Sequence, residues 1–208
     1  MPKGESSLRR PPKQERSRER VDEILCVAKR LIGEKGIDAV KMREIAALSG
    51  GPISSVYQYF PNKSAIIATL YSQWSSEVYD LLKSALANIN GLEPLFAAAA
   101  AILDVYHQRI LTDPAVLDLM NAVQADKALK NVDIIRTRQQ AHLFCDTARP
   151  WIEDDRFEAF SRVTFLMFQL ANGTVRLALA VEGTEAQAII SDFKIIIHTQ
   201  LMEFAKAD

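Results

Sequence analysis

Apolar residues recur at helical spacing early in the chain: Val21, Ile24, Leu25, Ala28, Leu31 and Ile32 fall at i, i+3, i+4, i+7, i+10 and i+11. A single stripe of this kind among charged residues predicts an amphipathic helix over 17–35, with Gly36 closing it just beyond the C-cap. A second, shorter set, Met42, Ile45 and Ala46, is broken by Ser49-Gly50-Gly51. Pro52 then suits the first turn of another helix, where its missing N–H needs no partner. That third helix turns Val56 and Phe60 to a core and keeps Ile53, Ser54, Ser55 and Gln58 for another surface, with Tyr57 and Tyr59 flanking. Three such helices can enclose one small shared core.

Longer helices follow. Asn62 is an acceptor suited to an N-cap, and Ile66, Ile67, Leu70, Trp74, Val78, Leu81, Leu82 and Leu86 carry a helical pattern to about residue 90, where Gly91 stops it. An alanine-rich helix is predicted over 93–111. Asp113-Pro114 reads as N-cap plus N1 for a helix over 116–128, and a further one over 132–149 ends at Pro150. From 155 to 182 apolar residues occur on every side, among them Phe157, Phe160, Phe165, Leu166, Leu170 and Leu177, which predicts burial on every side. Thr184-x-x-Gln187 reads as a capping box for a last helix with Ile189, Ile190, Phe193, Ile196, Ile197 and Leu201. The fold class expected is all-α: an N-terminal three-helix domain over 17–63 behind an arm, 1–16, and a C-terminal helical domain over 64–208.

The segment 45–63, two short helices about a glycine turn, is the pattern of a helix-turn-helix DNA reader. Such a unit lays its second helix in the major groove while the first crosses the backbone. Short side chains at Ser54 and Ser55 permit close approach; Gln58 suits adenine N6/N7, Ser55 several base edges, and Ile53 a thymine methyl. Tyr57, Tyr59 and Lys63 read as phosphate clamps, which set register. A buried helical hairpin with partly buried tyrosines is the alternative on spacing alone.

Charge distribution sharpens the division of labour. The chain of 208 residues has formal net charge −1, but 1–63 contain 13 Lys/Arg and 8 Asp/Glu, net +5, whereas 64–208 contain 12 and 18, net −6. A basic head on an acidic body suggests a polyanion partner for the head. Arg9, Arg10, Lys13, Arg16 and Arg18 suit an arm along phosphates or in the minor groove; an ordinary disordered terminus is the equal alternative. No apolar h-region marks a signal peptide, and no segment is expected to span a membrane.

Catalytic chemistry finds no support. His107, His142 and His198 lack metal-ligand spacing, no phosphate-binding glycine loop or G-x-S-x-G is present, and Cys26 and Cys145 form no C-x-x-C. Two isolated cysteines fit a reducing cytoplasm. The expectation is a non-enzyme without cofactor or metal.

Gly36, Arg43-Glu44-Ile45-Ala46, Gly50, Val56-Tyr57-Gln58-Tyr59-Phe60 and Asn62-Lys63 together resemble the N-terminal domain of tetracycline-repressor (TetR) family regulators, over about 15–67. The resemblance implies a homodimer on a palindromic double-stranded DNA operator, released by a small hydrophobic or aromatic effector held in a C-terminal ligand-binding and dimerisation domain. It implies a contact from Arg43, groove-facing Ser54 and Ser55, and phosphate contacts from Tyr57, Tyr59 and Lys63. Three positions depart from the pattern: Lys41 stands where a capping Thr is usual, Gly51 where a Val is usual, and Pro52 where a capping Ser is usual. Lys41 cannot cap, although its charge can reach phosphate, and Gly51 is expected to loosen the turn.

The long helix from Asn62, joining head to body, is the expected transmission element. The last two helices are expected to pair with a second copy as a four-helix bundle, a wholly intramolecular core being the alternative. For the effector site, Phe96, Tyr106, His107, Met120, His142, Phe168, Asn172 and Arg176 lie on the helices that line such a cavity in similar proteins. A competing reading is a constitutive DNA-binding nucleoid or division-linked factor acting through protein partners.

Overall fold

The computed structural model describes residues 13–127 and 129–206; the arm residues Arg9 and Arg10 lie outside the described residues. Within them run nine α-helices: α1 (Lys13–Lys35), α2 (Met42–Leu48), α3 (Ile53–Tyr59), α4 (Lys63–Leu86), α5 (Leu92–Thr112), α6 (Pro114–Ala125), α7 (Lys130–Ala148), α8 (Phe157–Ala180) and α9 (Thr184–Met202). Two 3-10 turns link α7 to α8, and no strand forms among the described residues beyond one isolated bridge between Ile152 and Ala205.

α1 starts four residues before the expected position, so 13–16 are helical and the arm is shorter than 1–16. Lys, Gln, Glu and Arg are good helix formers and extend a helix already anchored by its apolar stripe. Its other end matches the sequence reading: Gly36 takes φ +78° and donates its N–H to the Ile32 carbonyl at 2.9 Å. Ile24, Ala28, Ile45 and Val56 are wholly buried between α1, α2 and α3.

That small core is continuous with the body. Ile66, Ile67 and Leu70 of α4 and Val116, Leu119 and Val123 of α6 join the same cluster, so the 63/64 boundary falls inside one apolar core. A second cluster gathers Leu82, Leu86, Leu95, Phe96, Phe144, Phe160, Leu201 and Phe204 around the far end of α4. α4 therefore runs from the head through one core into the other.

Helix starts follow the sequence where the cap is local. Asn62 Oδ1 accepts from the Ala65 N–H at 2.9 Å. Lys41, at the N-cap of α2, makes no side-chain cap bond, as its chemistry requires. Asp113 departs from expectation: it makes no cap bond, and its carboxylate meets the Lys29 ammonium at 2.6 Å, joining the start of α6 to α1. The capping box at the last helix is also absent, because Gly183 occupies the N-cap at φ +63° and Thr184 is already helical.

α8 is not buried on every side. Phe160, Thr164, Met167, Val175 and Ala178 face the body, while Leu166, Leu170 and Leu177 are 51%, 44% and 53% exposed. With this outer apolar face, Asp154–Ala180 is long and apolar enough to cross a membrane by length and composition only, a character that the core helix of a helical bundle also has. Ile195 and Ile196 of α9 add further exposed apolar surface, at 62% and 47%.

Candidate nucleic-acid interface and effector cavity

α2 and α3 are seven residues each, too short to persist alone, and their place is set by packing against each other and into the core shared with α1. Ile45 and Ala46 anchor one, Val56 the other. Lys41, Arg43, Ser54, Tyr57 and Gln58 are left exposed, a set of donors, acceptors and cations on one end of the molecule. This is the surface the sequence assigns to DNA.

Four of the expected contacts have other engagements. Ile53 is half-buried and packs on the core, because 53, 56 and 60 share one helical stripe, so only part of its side chain stays open to a groove. Ser55 accepts from Arg20 Nε at 3.2 Å. Tyr59 accepts at its hydroxyl from Ser17 Oγ at 3.3 Å. Lys63 donates its ammonium to the carbonyls of Ile37 at 2.8 Å and Val40 at 3.4 Å, tying the start of α4 to the α1–α2 connection. Two of the three ammonium N–H groups are used in this way, which leaves one for a phosphate oxygen.

Arg20 is the residue that sequence reasoning missed. Its guanidinium bridges from α1 to the Ser49 carbonyl, to Ser49 Oγ at 3.2 Å and to Ser55 Oγ at 3.2 Å, spanning the α2–α3 turn. Nothing local to Arg20 signals this, since its partners lie about thirty residues away.

In the body, a cavity of about 90 Å³ lies at the seam between the two apolar clusters. α4 supplies Tyr71, Trp74, Ser75, Val78 and Leu82 to its wall. The Trp74 and Tyr106 rings stack at 5.9 Å, and the Tyr106 hydroxyl donates to Asn172 Oδ1 at 2.7 Å. Behind the wall, Tyr71 donates to one oxygen of the buried Asp133 carboxyl while Gln124 Nε2 donates to the other at 2.7 Å, which links α4, α6 and α7. Burial, and secondly the Asp133 carboxyl, push both tyrosine hydroxyls above their usual pKa, so both stay neutral donors.

None of the described side chains in the wall bears a charge. Thr164 Oγ1 is wholly buried in it without an oxygen or nitrogen partner, its polar neighbour being the Cys145 thiol, which burial pushes up in pKa. A ligand hydroxyl or carbonyl would satisfy it.

Of the residues expected to form an effector site, Tyr106, Phe168 and Asn172 line this cavity. The others do not. Phe96 is buried in the far cluster with its ring edge-on to His198, and Met120 is buried in the near cluster, its sulfur 3.5 Å from the Tyr106 hydroxyl. His142 is exposed in an outer polar groove with Tyr79, Asp80 and Arg136, and His107 and Arg176 are half-buried outside the lining. Sequence periodicity gives the helix but not its rotation in the bundle. Tyr71, Trp74 and Thr164 were missed for the same reason.

Comparison with known proteins agrees with this architecture. A family model described as bacterial regulatory proteins, tetR family, matches residues 24–76, and one described as tetracyclin repressor-like, C-terminal domain, matches 93–205. No curated protein sequence matches the chain. Among solved structures, a TetR-family regulator from Pectobacterium atrosepticum is similar with TM-score 0.67 at 12% identity, covering 94% of this chain and 98% of that one. SmeT, the repressor of the Stenotrophomonas maltophilia multidrug efflux pump SmeDEF, gives 0.65 at 15% identity, covering 89% and 90%. RolR in complex with resorcinol gives 0.60 at 17% identity, covering 94% and 97%. At such identities the structural likeness speaks to the fold, while the family models, the second spanning over half the chain, speak to kinship. A helix-turn-helix head matching one model and a helical body matching the other place this chain in the TetR family of DNA-binding transcriptional regulators, which are not enzymes.

Proposed function

We propose that the protein is a cytoplasmic repressor that binds a palindromic operator as a homodimer and lets go when a small, uncharged aromatic molecule enters the body. The observation that carries this reading is the course of α4. Five residues of its middle, Tyr71 to Leu82, face the cavity, and its first residue, Lys63, is bonded to the connection before α2. A ligand that wedges Trp74 from Tyr106 would tilt α4 and move α3 with it. The uncharged, largely apolar wall favours a neutral ring, since an ion there would lose its hydration without a counter-charge. RolR, similar in fold, is described with resorcinol bound.

Exposed Ser54, Tyr57 and Gln58 are the proposed base and backbone contacts on α3, with Lys41 and Arg43 on or beside α2 reaching phosphate or base. Domain limits follow: a reader over α1–α3 and an effector and dimerisation unit over α4–α9.

The test is selection of a duplex from a random pool by the purified protein, then anisotropy titration with phenol, resorcinol, benzoate and benzylamine. Release by the neutral phenols and not by the two ions is expected. If a broad panel never weakened binding while a protein partner bound only the DNA complex, the constitutive reading would replace this one.

A further inference from the structure

Two glycines sit in the α2–α3 turn, and only one is there for its backbone. Gly50 takes φ +74°, a left-handed conformation that side chains disfavour. Gly51 has an ordinary φ, yet a Cβ built on it would lie 2.6 Å from Arg20 Nη2 and 3.2 Å from Arg20 Cζ. What Gly51 provides is room for the guanidinium.

Arg20 uses that room fully. Its side chain is 16% exposed; Nη1 reaches the Ser49 carbonyl, Nη2 the Ser49 hydroxyl at 3.2 Å, and Nε the Ser55 hydroxyl at 3.2 Å, while Glu23 balances the charge at 3.0 Å. The Ser49 carbonyl belongs to the C-cap of α2, one of the acceptors a helix leaves without an internal partner. Ser55 is the third residue of α3. One planar fork thus joins the end of the first short helix to the start of the second, a task for which a guanidinium has enough fixed donors and an ammonium does not.

We propose that Arg20, seated over Gly51, is a positioning residue that fixes the angle of α3 to α2 and presets Ser55 as a donor toward DNA. Because Ser55 accepts from Arg20, its own O–H remains to donate to an acceptor such as guanine N7/O6 or a phosphate oxygen. The turn that lacks a packing side chain at 51 is held by charge-assisted bonds instead, so the expected loosening does not follow from Gly51 alone. This inference rests on the assignment of α3 as the DNA-reading helix. Arg20 acts through Ser49 and Ser55 and is too enclosed to serve as a free phosphate contact.

The experiment compares Arg20→Ala, Arg20→Lys, Gly51→Ala and the double variant Arg20→Ala/Gly51→Ala, each with helical content verified by circular dichroism. Two readouts are taken: amide exchange in the DNA-free protein, and affinity for the duplex selected by the wild type against a scrambled duplex across a salt series. Each single variant, the lysine included, should speed exchange across 49–58 without speeding it in α7–α9. Each should also cut the selected-to-scrambled ratio by roughly tenfold while leaving the salt slope unchanged. Gly51→Ala should add nothing in the Arg20→Ala background, since both remove the same clasp. Unchanged exchange, additive losses in the double variant, or an equal loss on both duplexes with a salt slope lower by about one would each overturn the proposal. Exchange decides it even if selection enriches no duplex, an outcome that would strike the operator assignment instead.

Discussion

Neighbouring residues on α3 divide into those that hold it and those free to meet DNA. Val56 is wholly buried, Ile53 is half-buried beside it, and Tyr57 and Gln58 stand outward. Replacing Gln58 by Ala should cost about 1–3 kcal/mol, concentrated at one base position of the selected duplex. Tyr57→Ala should weaken selected and scrambled duplexes alike; equal, sequence-independent losses for both would show that Gln58 reads no base. In the body, Asp133→Ala strands the buried hydroxyl of Tyr71 and removes the acceptor of the Gln124 amide, and a loss of about 1–3 kcal/mol in urea unfolding is expected. The two tyrosines also set an alkaline limit. Their folded pKa lies above the ordinary 10.0, so the unfolded chain holds fewer protons once pH passes about 10, and stability falls as pH rises from there. Absorbance at 295 nm should show Tyr71 and Tyr106 ionising only as helical circular dichroism is lost; their titration in a folded protein would refute the assigned burial. The outward polar residues of α3 were legible from spacing, and so, on inspection, was the Ile53–Val56–Phe60 stripe. Arg20 was not, because its bonds join residues 29 and 35 positions apart.

At the scale of elements, helix ends were readable when their chemistry was local. Gly36 and Asn62 behave as their sequences indicate, each satisfying a helix terminus within four residues. Asp113 had a competing long-range partner in Lys29, and at Thr184 a left-handed Gly183 took the cap position first. In the proposed function, α4 is the element on which DNA reading and effector binding meet. Asn62→Ala should cost about 1 kcal/mol of stability, the usual worth of such a cap. If α4 transmits, it should also lower operator affinity more than an equally destabilising change in the far cluster away from the cavity, such as Ile152→Val; equal affinity losses at matched stability would remove α4 from the path.

For the whole molecule, Leu166, Leu170 and Leu177 of α8 and Ile195 and Ile196 of α9 leave an apolar face uncovered in the single chain, the face on which the proposed homodimer would build its four-helix bundle. Leu170→Asp or Ile196→Asp should yield monomers by analytical ultracentrifugation, with operator affinity reduced by orders of magnitude, because one head holds half a palindrome. A verified monomer with full affinity would end the paired-reader model. Apolar periodicity determined the all-α class and the order of the helices, the glycine break determined the helix-turn-helix at 45–63, and the charge count determined the basic head, since each depends on residues near one another in the chain. Tertiary structure decided which face of each helix looks inward: that Tyr106, Phe168 and Asn172 reach the cavity while Phe96, Met120 and His142 do not, and that Arg20 occupies the space above Gly51. A helix fixes the relative angles of its own side chains, but its rotation and its neighbours are set by packing against elements far away in sequence, to which local spacing is blind.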